Sequence, residues 1–218
     1  MNGRIALFQH HPQCSVDCAN GMRNALDSDY EFITFDEHGL TAELLATVDI
    51  VAFPGGIGDS DSYYNFIGRR AGNLIEQFVN NGGHYLGICM GAYWAGHHYL
   101  DILDGVKCLQ YIKRPDADLK RSFGTVVPVK WLGQDENVYF YDGTVFVGDT
   151  DKFDVIATYA NGEPAAIIQG RVGLIGPHPE SLEYWYQPPY GYPRLKDHWH
   201  EGRHHALLLD FVNRLMQK

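Results

Sequence analysis

Cys89 sits between two glycines in the stretch Gly87-Ile88-Cys89-Met90-Gly91, with an apolar run before it and a run of helical character after it. A strand, a sharp turn and a helix form the layout of a nucleophile elbow. Flanking glycines let the chain turn with the side chain held outward, and the partial positive charge of a helix N-terminus favours a thiolate. The Met90 N–H is then free to donate to an oxyanion. A second donor is offered by Gly55 or Gly56 in "PGG" (54–56), the turn that ends a neighbouring strand. The same pattern also suits a small buried cysteine packed in a core, and the residues around it leave both readings open.

A thiolate nucleophile needs a base, and the base needs an orienting group. "GLIGPHPES" (173–181) supplies both, in His178 and Glu180. His178 lies between two prolines, and a residue before proline is pushed extended. Two residues apart on extended backbone, His178 and Glu180 point to one side. Glu180 is expected to hold one imidazole nitrogen while the other faces Cys89. Tyr93, four residues after Cys89, returns to the same helix face. Tyr93, Trp94 and Tyr63 are expected to wall a substrate pocket. The aromatic run "EYWYQPPYGYP" (183–193) either joins that wall or covers apolar surface. Asp59 and Asp61 read as turn residues.

These groups must be positioned by elements with readable signals. The first half alternates short apolar runs with amphipathic stretches. It predicts strands over 4–8, 30–35, 48–53 and 84–89, and helices over 15–27, 41–46, 68–80 and from about Gly91. Strands alternating with helices argue for a parallel sheet with right-handed crossovers. The second half turns β-rich. "NVYFYDGTVFVG" and "FDVIATYANGEPAAIIQGRVGLIG" carry Asp-Gly, Asn-Gly and Gln-Gly hairpin signals. Leu207, Leu208, Phe211, Val212 and Leu215 form an amphipathic stripe over 203–217.

The chain has 218 residues, 45% hydrophobic and 20% charged, an ordinary globular composition. Its net charge of −10 argues against a nucleic-acid footprint or an anionic membrane surface. No apolar run approaches the roughly 18 residues of a membrane span. Four cysteines (14, 18, 89, 108) are too few and too irregular for a disulfide framework. A cytoplasmic protein of one domain, 1–218, is expected. Four histidines in "HWHEGRHH" (198–205) read as a solvated loop entering a helix. No set of metal-ligand spacings closes in the sequence, so neither metal nor cofactor is expected.

Together, "VAFPGG", "YLGICMGAYWAG" and "GPHPES" resemble the class I glutamine amidotransferase superfamily. The closer resemblance is to the amidotransferase-like N-terminal region of eukaryotic-type biotin–protein ligases, carried also by "FIGRRAGNLIEQFVNNGGHYLGICMGAYWAG" and the early "QHHPQCSVDC". It implies a flavodoxin-like, doubly wound and mostly parallel α/β sheet with an antiparallel extension in the second half. It also implies a Cys89–His178–Glu180 triad acting on an amide or related acyl group through a thioester. Two departures stand out. There is no glycine- and arginine-rich biotin/adenylate loop and no phosphate loop, so ligase activity is not expected. Typical glutamine amidotransferases resemble G-x-C-x-G-x-Gln, whereas this chain has Tyr93 at the last position, which cannot offer an amide's paired donor and acceptor. The expected partner is a small-molecule or peptide amide, and a protein partner is compatible with it. A non-catalytic regulatory module, or a peptidase or aldehyde hydrolase on the same frame, is the alternative.

Overall fold

The computed structural model describes residues 2–9, 15–56, 61, 64, 67–188 and 194–218. Cys14, Asp59, Tyr63 and residues 189–193 of the aromatic run therefore lie outside the described residues.

A nine-stranded sheet organises the described residues. Its order is β2 (Tyr30–Phe35), β1 (Gly3–Phe8), β3 (Ile50–Phe53), β4 (His84–Ile88), β11 (Val172–Ile175), β10 (Pro164–Gln169), β9 (Asp154–Tyr159), β6 (Thr125–Trp131) and β7 (Gln134–Phe140). From β2 through to β11 the neighbours pair parallel. From β11 to β7 they pair antiparallel. The parallel half and the antiparallel extension both match the expected class. A separate two-stranded antiparallel ribbon pairs β5 (Val106–Gln110) with β8 (Thr144–Gly148).

The period-2 alternation of a strand sends successive side chains to opposite faces, so a sheet covered on both sides buries all of them. In β1, Ile5 and Leu7 join the core beneath α1 (Val16–Leu26) and α5 (Arg203–Leu215). Ala6 and Phe8 join the opposite core, with α3 (Gly68–Asn80) and α4 (Met90–Trp94). A short α2 (Ala42–Leu45) lies between β2 and β3. The Ser15 side chain accepts from the Asp17 N–H at 3.2 Å and caps α1, whose Cys18, Ala19, Met22, Ala25 and Leu26 face inward at helical spacing.

One sequence expectation needs correction. The Asn161-Gly162 and Gln169-Gly170 turns do close the β9–β10 and β10–β11 hairpins, but Asp142-Gly143 does not close one. Strand β7 pairs with β6 instead, around Leu132 and Gly133, both at positive φ (46° and 85°). At Asp142 the chain leaves the main sheet and starts the ribbon. The helix expected from about Gly91 is present and short. It spans only Met90–Trp94, because turns at 95–100 end it after little more than one turn.

Candidate active site

Parallel pairing of β4 with β11 sets Ile88 opposite Ile175. The Cys89 N–H donates to the Ile175 carbonyl at 2.8 Å, so the two strands end together. Three residues after β11 comes His178, whose N–H donates to the Tyr139 carbonyl at 2.7 Å, tying this loop to the end of β7. One register thus brings residues 89 and 178 to the same carboxyl edge, where open α/β sheets bind ligands.

Cys89 has φ 50° and ψ −102°, a conformation that side chains other than glycine rarely adopt. The structure around it enforces this. Its carbonyl accepts from the Ala92 and Tyr93 N–H groups at 3.0 Å and from the Thr144 hydroxyl at 3.2 Å. A Cβ at Gly91 would overlap the Phe53 carbonyl, and one at Gly87 would lie 2.5 Å from the Gly91 oxygen. The flanking glycines are therefore required by close backbone approach across the turn. The Cys89 sulfur lies 3.7 Å from the Tyr141 carbonyl.

The His178 Nδ1 lies 2.8 Å from Glu180 Oε1, and both side chains are almost wholly buried. The Cys89 and Cys18 thiols both lie close enough to the imidazole to bear on its charge. Burial alone would lower its pKa. The Glu180 carboxylate and, after it, the neighbouring Cys89 and Cys18 side chains reverse this and hold it well above the usual histidine range. Trp185 and Tyr139 pack edge-on against the ring, at centroid distances of 5.7 and 6.1 Å. The described part of the aromatic run thus backs the histidine with apolar surface.

Cys89 opens into a cavity of about 850 Å³, shared with Gly56, Met90, Tyr93 and Asp142. Among the described residues, the N–H groups of Met90 and Gly56 make no hydrogen bond and are free to meet an oxyanion. Gly55, the other donor candidate of this turn, is also packed tightly. A Cβ there would lie 2.6 Å from the His178 Cε1 and 3.0 Å from the Cys18 sulfur, so this glycine is packed against the imidazole. Tyr93 is half-buried, and its hydroxyl lies 3.3 Å from the carbonyls of Asp142 and Gly143. Burial raises its pKa far above the ordinary phenol value, so it stays a neutral donor. Trp94, expected on the pocket wall, is instead fully buried in the core against Phe8 and Phe53. Its position five residues after Cys89 carries it round the helix and away from the thiol.

The sequence reading missed Cys18 as a neighbour of this site. Its place on the inward face of α1 was the only signal, and ordinary packing explains that equally well. Burial holds its thiol above the usual range and pushes that of Cys108 up to about 12. The histidine stretch does run into a helix with His198 exposed, but only part of it is solvated. His200 and His204 are buried, the His200 Nδ1 accepts from the Gly202 and His204 N–H groups at 3.1 and 3.3 Å, and His205 Nε2 lies 2.9 Å from the Ser181 carbonyl. It caps α5 and holds the chain just after Glu180.

Residues 10–100 match the family described as biotin-protein ligase, N terminal. No curated protein sequence matches the chain. Among solved structures, it is similar to a glutamine amidotransferase from Thermotoga maritima, with 16% identity over 100% of both chains and a TM-score of 0.70. It is also similar to PurLQS from the same organism, with 16% identity over 99% of this chain and 100% of that one, at a TM-score of 0.65. A further glutamine amidotransferase structure aligns over 98% of this chain and 99% of its own, with 15% identity and a TM-score of 0.65. The chain therefore has the class I glutamine amidotransferase-like α/β fold, with biotin–protein ligase N-terminal similarity in its first half.

Proposed function

We propose that this protein is a cysteine-dependent amide hydrolase or acyl transferase, with Cys89 as nucleophile, His178 as acid and base, and Glu180 as the group that orients it. One observation carries this reading: a buried imidazole held 2.8 Å from a carboxylate stands at the same sheet edge as the thiol of a strained elbow. The raised pKa of His178 suits an imidazolium that stabilises the Cys89 thiolate. The sulfur attacks the acyl carbon, and the Met90 and Gly56 N–H groups face the developing oxyanion. Collapse breaks the C–N bond, and the leaving amine takes its proton from His178. Water or another acceptor then attacks the thioester, and the neutral imidazole takes the incoming proton.

The test is limited iodoacetamide labelling with peptide mapping, followed by intact-mass screening against amide and ester libraries. Cys89 is expected to label first among the four thiols, and acyl adducts are expected on it alone. Glu180→Gln should leave the fold intact and slow Cys89 alkylation markedly. If His178→Ala and Glu180→Gln both label at the unaltered rate, the triad assignment fails.

A further inference from the structure

Cys18 lies close to the imidazole of His178, and nothing in the acyl chemistry uses it. One donor atom each from Cys18, His178 and Glu180 lies within 4.8 Å of the others, and all three side chains are buried. Glu180 spends Oε1 on His178, while Oε2 is buried without a hydrogen-bond partner among the described residues. A buried carboxylate oxygen without a partner is costly, and a cation would satisfy it.

We propose that Cys18, His178 and Glu180 form a binding site for a zinc-class divalent ion, and that occupancy of this site silences Cys89. A thiolate, an imidazole and a carboxylate are the donor set that zinc takes. Magnesium and calcium prefer oxygen donors throughout and are disfavoured by the thiol. Zinc bonds of about 2.0–2.3 Å place tetrahedral donors roughly 3.3–3.8 Å apart, so the cluster need contract by only about 1 Å. Cys89, at the same end of the sheet as His178, opens to the cavity and offers the entry path. On binding, the ion displaces the Cys18 thiol proton and one proton of the His178 imidazolium, both of which leave to solvent, and takes the imidazole lone pair so freed. His178 then has no free lone pair with which to take a proton from a thiol or a water. The silencing rests on the catalytic reading above, whereas the binding does not.

Two measurements separate the two. Cobalt(II), a spectroscopic stand-in for zinc, is titrated into the full chain and into Cys89→Ser. The thiolate-to-cobalt charge-transfer band is expected in both, because Cys18 supplies a thiolate in each. Zinc is then added during iodoacetamide labelling. It should slow Cys89 alkylation by at least about tenfold, a chelator should restore the rate, and magnesium should leave it unchanged. In Cys18→Ser, the zinc concentration needed for half the effect should rise by more than the roughly 10–100-fold typical of losing an outer-shell partner. Absence of the cobalt band from Cys89→Ser, or equal zinc protection in Cys18→Ser, would overturn the site. A cobalt band that persists in Cys89→Ser while no substrate forms an adduct would leave the site standing and sink the catalytic reading.

Discussion

Gly55 shows how one missing methyl group can set chemistry. Its Cα faces the imidazole edge, and a Cβ would press on both His178 and Cys18. Gly55→Ala is expected to keep a cooperative fold, at a cost of about 1–3 kcal/mol for overpacking. It should slow Cys89 alkylation by roughly 10²-fold, because a displacement near 1 Å in a catalytic group has that effect. Labelling kinetics beside a thermal melt check this, and an unchanged labelling rate would refute the packing role. Tyr93 bears on the substrate. Its hydroxyl is engaged with two carbonyls, so its ring is what remains for the cavity. Glutamine's polar groups would lie there unpaired, at about 1–3 kcal/mol each, or roughly ten- to a hundredfold in binding per group. Ammonia release from glutamine is therefore expected to be weak, and higher in Tyr93→Gln. Efficient release by the unaltered chain would show the inference to be wrong.

The elbow is a strained element held by its neighbours. Backbone in so sparsely populated a region costs of order 1–3 kcal/mol and persists where surrounding bonds over-determine it. Here those bonds are the Ile175 and Thr144 contacts and the short helix that follows. At an ordinary site, alanine stabilises by about 0.5–1 kcal/mol relative to glycine. At position 89 the order should reverse, with Cys89→Gly more stable than Cys89→Ala by about 1 kcal/mol. Urea unfolding of the two variants measures this, and the usual order would mean that the turn is relaxed. With only five residues, α4 contributes little dipole, and the site's electrostatics rest mainly on His178 and Glu180.

Across the molecule, two sets of histidines pull stability in opposite directions with pH. An unfolded histidine titrates near 6.5. In the fold, burial pushes His200 down to about 3 and His204 to about 4, with neighbouring positive groups adding to the effect. Between those values the unfolded chain binds protons that the fold refuses. Stability therefore falls as pH drops below 6.5, by up to about 1.4 kcal/mol per pH unit for each group. His178 has the opposite sign. Its raised pKa contributes stability that is full below 6.5 and is lost as pH rises through the folded value. Unfolding free energy is expected to peak near pH 6.5. His200→Asn should flatten the acid limb between about pH 6.5 and 5, above the carboxylate range. An acid limb of unchanged slope in that variant would assign the effect elsewhere.

Sequence alone determined those features whose physical cause lies within a few residues. The glycines around Cys89, the Asn161-Gly162 and Gln169-Gly170 turns, the apolar stripe of α5 and the proline-flanked His178-x-Glu180 each announce a local geometry. Tertiary structure decided the rest. Asp142-Gly143 carries a hairpin signal, yet the chain there crosses from the main sheet to the ribbon, because β7 already has β6 as its partner. Trp94 went to the core, and Gly55 became the floor beneath the imidazole. Cys18 met His178 across 160 positions of chain. All of these follow from strand neighbours, above all the β4–β11 pair, whose members are separated by more than 80 residues. Such pairings are selected by burial summed over both faces of the sheet, against a loop-closure cost that varies only slowly with length, and no short window of sequence records that balance.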